Sequence, residues 1–221
     1  MPKEDLQKLR HYAARCGIEL EGGTKINLSS CRCAVDHLLQ YLEVALFLDM
    51  KLVRVAFDGG SIDELYSVLQ QCAPVYEKAR VKLAVENHFY CTSNDLVRLV
   101  KSMSSETVGI CLDTANSIAA GEWPEKTIRK LLPFAFTVHL KDFIRSPHPD
   151  GTGVVITGAP LGKGVLNVQY VAQELAHAQE LRSIVIELWL PRGGTEKELL
   201  AKEEEWVEQS LAVAKLYFET Y

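Results

Sequence analysis

VKLAVENH, residues 81–88, is an apolar run of strand length that ends in a carboxylate, an amide and an imidazole. Three later stretches share its form: VGICLDT (108–114), FTVHLKD (136–142) and IVIELW (184–189) end apolar runs at Asp113, His139 and Glu187. A carboxylate at the end of a core strand is costly to bury unless it is paired or bound to a metal. Any one of the four alone reads as a rim residue, an ion-pair partner or a hydrogen-bonded core histidine. Four in succession say more, because the parallel strands of one sheet bring their C-terminal ends to a common rim, and in a βα barrel that rim is the active-site face.

Outward from these runs, the chain alternates short apolar segments with longer amphipathic ones, the pattern of repeated βα units around a parallel sheet. Leu6, Leu9, Tyr12, Ala13 and Cys16 recur at helical spacing, and Gly17 supplies a stop, so a leading helix is expected over about residues 3–16. Six strands are expected: Ile18 to Leu28, interrupted by Gly22-Gly23, then Leu52 to Phe57, Val81 to Glu86, Val108 to Asp113, Phe136 to Lys141 and Ile184 to Leu188. The helices that follow them are expected at about 34–50, 61–79, 93–103, 124–132, 167–181 and 196–219. Between Phe143 and Gly164 the pattern breaks into a Pro/Gly-rich stretch of about twenty residues, longer than a plain connection, which reads as a functional loop. Runs such as Val-Lys-Leu-Ala-Val suit strands covered on both faces. Pattern alone fits a closed barrel or an open doubly wound sheet, and Glu21-Gly22-Gly23-Thr24 is not the GxGxxG of a dinucleotide fold. One domain over residues 1–221 is expected, without a linker.

Composition narrows the function. The formal net charge is −5 with no cluster of Lys and Arg, which argues against nucleic acid as a partner. Lys202-Glu203-Glu204-Glu205 reads as the solvated face of the last helix. No run approaches a membrane span and the opening Met-Pro-Lys-Glu-Asp does not resemble a signal peptide, so the protein is expected in the cytoplasm, away from membranes. Its six cysteines are expected as reduced thiols, and none of them is expected to join the site.

Three carboxylates and one imidazole make a hard, oxygen-rich site, which favours Mn²⁺, Mg²⁺ or Co²⁺ and admits Zn²⁺. Polar neighbours surround the four: Asn87 and His88, Thr114 and Asn116, Lys141 and Asp142. Strand alternation puts His88 on the side of Glu86 and Lys141 on the side of His139, while Asn87 and Asp142 point away and brace neighbouring loops. His88, Asn116 and Lys141 are therefore candidates for contacting substrate.

As an ordered set, ENH, DTAN, HLKD, the LGKG of residues 161–164 and the late IEL resemble the motifs of the xylose isomerase-like superfamily of sugar phosphate isomerases and epimerases. The resemblance runs from about residue 6 to the end. It implies a TIM (β/α) barrel in which Glu86, Asp113, His139 and Glu187 hold one divalent cation. It also implies that Glu86 and Glu187 move protons next to a ketose carbonyl, and that the ligand is a sugar or sugar-derived ketone. Arg145 stands six residues after His139, as does a substrate-contacting arginine of the ketose 3-epimerases. Endonuclease IV-type repair enzymes share the superfamily, but Asn116 stands where their motif has a histidine, and the histidine two after the later Asp is missing. A barrel that keeps its ligands yet serves only as a sugar-binding module is a further alternative. Six strands against a barrel's eight suggest an N-terminal truncation, with the gap covered by a helix, by residues 143–164 or by a second subunit in a homodimer.

Overall fold

The computed structural model describes residues 2–103, 105–178, 180–191 and 193–218. Helix α1 (Lys3–Cys16) carries Glu4 and Asp5 in its first turn and Arg15 in its last, as the helix dipole favours, and Gly17 ends it in the left-handed region at φ 67°. Then come β1 (Gly22–Asn27), α2 (Cys31–Phe47), β2 (Leu52–Asp58), α3 (Ile62–Ala79), β3 (Lys82–Glu86), α4 (Ser93–Met103) and β4 (Val108–Asp113). After a 3-10 turn over Asn116–Ala120 follow α5 (Pro124–Leu131), β5 (Ala135–Leu140), β6 (Asp142–Pro147), β7 (Val154–Ala159), α6 (Val168–Leu175), β8 (Ser183–Ile186) and α7 (Glu196–Phe218). Local chemistry sets several starts: Ser30 caps α2, and Ser61 with Glu64 forms a reciprocal capping box on α3.

Six strands form one parallel sheet in the order β1-β2-β3-β4-β5-β8, so successive βα units lie side by side. Its two faces differ. Val53, Val55 and Phe57 of β2, Leu83 and Val85 of β3, Ile110 and Leu112 of β4, and Val138 and Leu140 of β5 pack against the helices in the main core. On the opposite face Leu52, Ala84, Cys111 and Phe136 make a small second cluster, the floor of the bore. Alternation along each strand then lifts Arg54, Glu86 and Asp113 above that floor. Between β4 and β5 the register shifts beside Ile110 and Cys111, which sets Thr137 opposite Cys111 and His139 opposite Asp113.

The structure corrects three expectations. Gly22 and Gly23 do not interrupt the first strand; they begin it, and the missing side chain of Gly22 lets β1 lie against Tyr41, whose hydroxyl accepts from the Gly23 N–H at 3.1 Å and donates to its carbonyl at 3.0 Å. The stretch after His139 is no irregular loop: β6 and β7 pair antiparallel from Asp142↔Ala159 to Pro147↔Val154, with Gly151 and Gly153 at positive φ in the turn. The last strand stops at Ile186, so Glu187 stands just beyond it, its N–H still bonded to the Leu140 carbonyl at 3.0 Å.

All six cysteines are free thiols. Among the described residues no helix is long and apolar enough to cross a membrane.

Candidate metal centre

The C-terminal ends of β3, β4, β5 and β8 bring Glu86, Asp113, His139 and Glu187 together: one donor atom from each lies within 4.8 Å of the others. Glu86 is 2% exposed and Asp113 fully buried. One oxygen of Asp113, Oδ1, accepts the backbone N–H groups of Ala115 and Asn116, each at 2.8 Å. Its other oxygen, Oδ2, is buried and makes no hydrogen bond of good geometry, although Lys141 Nζ forms an ion pair with it at 2.7 Å. A buried carboxylate oxygen left in this state, facing three other ligand-type atoms, fits a divalent cation.

Protein cations hold the carboxylates as they stand. Lys141, only 2% exposed, reaches Glu187 Oε1 at 2.8 Å as well as Asp113, and lies 3.3 Å from Asn116 Oδ1. His139 Nδ1 is 2.6 Å from Glu187 Oε2 and 4.0 Å from Glu86 Oε1. Asn116 Nδ2 donates to Glu86 Oε1 at 3.3 Å. Burial opposes ionisation of Glu187, but the His139 hydrogen bond and the charge of Lys141 prevail and bring its carboxyl down to about 2. Burial pushes the Asp113 carboxyl up, against the pull of Lys141. Lys141 goes up despite its own burial, because Asp113 and Glu187 favour its charged form.

The bracing residues behave as alternation suggests. Asn87 is bonded to the Asp113 backbone, and Asp142 collects four backbone N–H groups around the base of the β6–β7 hairpin. Of the four residues expected to meet substrate, Asn116 and Lys141 are drawn into the carboxylate cluster and buried there. His88 is half-buried with its Nδ1 unbonded, and burial lowers its pKa. Arg145 is out on β6, exposed, its guanidinium 5.1 Å over the Trp123 ring, with no ion pair to the four.

Three participants escape the sequence reading. Arg54 on β2 donates to Glu86 Oε2 at 2.7 Å; its signal is a lone cation inside LVRVAF. Trp189 lies over Lys141, Nζ to ring centre 4.6 Å, and meets Phe89 at 6.1 Å; its signal is its place two residues after Glu187. Cys111 corrects the expectation that no thiol nears the site. It sits one step below Asp113 on the same face, where its sulfur lies within 4.8 Å of ligand atoms of Glu86 and His139. Burial raises its pKa well above the ordinary thiol value.

A family model described as xylose isomerase-like TIM barrel matches residues 2–216. The 3-oxo-isoapionate decarboxylase of Pectobacterium atrosepticum is 30% identical over 211 residues, 94% of this chain and 74% of that enzyme. Two solved structures share the fold: the D-psicose 3-epimerase of Clostridium cellulolyticum H10 with D-tagatose (TM-score 0.73, 19% identity, 96% of this chain and 84% of that one), and a xylose isomerase-like TIM barrel protein of Mycobacterium smegmatis in complex with magnesium (TM-score 0.69, 16% identity, 97% and 80%).

Proposed function

Because this chain belongs to the xylose isomerase-like TIM-barrel family, we propose that it is an isomerase or epimerase that moves a proton at the carbon next to the ketone of a sugar or sugar-derived compound, with a divalent cation. The observation that carries this reading is the convergence of one donor atom from each of the four residues within 4.8 Å of the others, with the buried Oδ2 of Asp113 held, among the described residues, only by the Lys141 ion pair. Glu86, Asp113, His139 and Glu187 would hold the ion, with Mn²⁺, Mg²⁺ or Co²⁺ favoured over Zn²⁺ by three hard oxygen ligands and one imidazole. When bound, such a cation stabilises negative charge on a ketone oxygen and so acidifies the adjoining C–H bond.

The residues supply the rest. Glu187, ionised throughout the neutral range, accepts the proton; Glu86 takes a proton from water and returns it to the carbon, and Glu187 releases its own to water to close the cycle. Lys141 and Arg54 fix these carboxylates by ion pairs, and Asn116 ties Glu86 to the Asp113 loop. Trp189 and Phe89 wall the rim.

A second reading is favoured by the decarboxylase relative, which matches 94% of this chain. There the carbon next to the ketone loses CO₂ instead of a proton: the C–C electron pair passes toward the ketone, and the carbon then takes a proton from a carboxylic acid of the site or from water.

Incubation of the Mn²⁺-supplemented protein in D₂O with ketoses and keto sugar acids tests both. Deuterium in recovered substrate without loss of carbon supports isomerisation or epimerisation; CO₂ release with one deuterium in the product supports decarboxylation. Glu187→Gln should abolish either while leaving the fold intact. Exchange at the wild-type rate in that variant would remove Glu187 from the chemistry.

A further inference from the structure

Arg54 has two neighbours in the bore. On one side its Nη1 meets Glu86 Oε2 at 2.7 Å, and its side chain stays 30% exposed where that of Glu86 is 3% exposed. On the other side stands Gly23, its register partner on β1. A Cβ on Gly23 would fall 2.8 Å from Nη2, 3.1 Å from Nε and 3.3 Å from Cζ, so the guanidinium sits beside bare backbone, in a space any other residue would take. Neither Nη2 nor Nε has a protein acceptor among the described residues, and Nη1 alone is engaged. A guanidinium carries five N–H donors in a planar fork that matches an oxyanion.

Charge points the same way. The carboxylates of Glu86, Asp113 and Glu187 face the cations of Arg54 and Lys141, three negative charges against two positive, which leaves one negative charge. A divalent cation turns that into one positive charge. A neutral ketose has nothing to match either the positive site or the free edge of the guanidinium, whereas a substrate bearing a carboxylate or phosphate matches both.

We propose that Arg54, seated by Gly23, is a substrate-binding residue that selects a sugar derivative carrying an oxyanion. This deepens the proposed function and rests on it.

The test uses the Mn²⁺-loaded protein and calorimetric titration with 2-keto-D-gluconate, D-fructose 6-phosphate and D-fructose. At least one anion should bind about tenfold or more tightly than fructose, and which of the two binds better tells carboxylate from phosphate. Arg54→Lys keeps the charge but loses the fork, and should erase roughly tenfold of the anion-over-fructose ratio, which is read within the one variant. Gly23→Ala keeps the arginine but displaces its guanidinium, and should shift the preference the same way, which covers the case of an Arg54 variant that fails to fold or to load Mn²⁺. Equal binding of fructose and both anions, binding of neither anion, or an anion preference kept by both variants would overturn the proposal. Failure of the proposed function looks different: it shows as no Mn²⁺ binding and no exchange with D₂O for any probe. The anion titrations repeated without metal then still judge Arg54 against its variants: anion binding that neither Arg54→Lys nor Gly23→Ala weakens counts against it.

Discussion

Asn87 grips the backbone of Asp113 from both sides: its Oδ1 accepts the Asp113 N–H at 2.7 Å and its Nδ2 donates to the Asp113 carbonyl at 2.8 Å. The same Nδ2 reaches Ser117 Oγ at 2.9 Å. All of this is buried, so the amide fixes both the strand end that presents Asp113 and the turn that follows it.

Asn87→Ala should therefore cost about 2 kcal/mol, because a buried N–H and a buried carbonyl lose their partners together. For a chain of this length that corresponds to a fall of roughly 4–8 °C in the melting temperature. Divalent-ion affinity should drop about tenfold or more, since the ligand is no longer aimed. A variant with wild-type melting and wild-type ion titration would show that Asp113 holds itself.

Asp142 anchors the hairpin in a comparable way. Oδ1 accepts from the N–H groups of Phe143 at 2.8 Å and Leu166 at 2.9 Å, and Oδ2 from Gly162 and Gly164, both at 2.9 Å. Asp142→Asn replaces an acceptor oxygen with an N–H₂ facing two donors and should destabilise by about 2–3 kcal/mol. Gly164→Ala should act in the same sense, because its Cβ would stand 2.2 Å from Asp142 Oδ1 and 2.3 Å from the Phe143 carbonyl. In both variants limited proteolysis should cut the turn between Pro147 and Val154 faster than in wild type, with the ion site less affected than in Asn87→Ala. Unchanged protection of that turn would count against the anchor.

The four strand-end residues were legible because each interrupts an apolar run, a local signal that the parallel sheet turns into a shared position. Alternation likewise sorted Asn87 and Asp142 from their neighbours. The hairpin was hidden because, among the described residues, β6 and β7 pair only with each other and expose Ser146 and Val154, while Pro147, Pro149, Gly151 and Gly153 punctuate them like a loop. Arg54 was hidden for another reason: its partner lies 32 residues away on the next strand, and one sequence does not show which charges meet. Cys111 needed the β3–β4 and β4–β5 registers, since these together set its sulfur near Glu86 and His139.

Within the described residues β1 and β8 each pair on one side only, so the six-stranded sheet keeps two open edges. Apolar side chains stand exposed nearby in sequence and space: Leu9, Tyr12 and Ile18 at α1, and Leu200, Val207, Leu211 and Leu216 along α7. Open edges and apolar surface of this kind are ordinarily covered. Self-association of the chain into a dimer is the expected outcome in light scattering at micromolar concentration. A monomeric mass independent of concentration would show that the edges are tolerated as they are.

Glu122 gives a pH dependence that does not involve the candidate metal centre. It is 5% exposed; its Oε2 accepts the Ser93 N–H at 2.6 Å and its Oε1 the Ser93 hydroxyl at 2.8 Å, which caps the first turn of α4 from outside the helix. Lys130 and Lys126 stand 3.5 and 3.7 Å away. Burial alone would raise its carboxyl, but the Ser93 bonds and the two lysines win and hold it below the usual Glu value of 4.5. The sign follows: a group whose folded pKa is depressed adds stability that is complete above its unfolded pKa and drains away as pH falls through the folded one. Glu122→Gln should therefore lose about 1–2 kcal/mol at neutral pH, where the charged acceptor at a helix N-terminus is gone. As pH is lowered past 4.5, the gap between variant and wild type should narrow, because protonated Glu122 resembles the amide. Urea midpoints for both proteins between pH 7 and about 3 read this directly, with the difference cancelling the slopes of other carboxylates such as Asp95. A gap that stays constant over that range would show that Glu122 stabilises α4 by packing and neutral hydrogen bonding, and not by its charge.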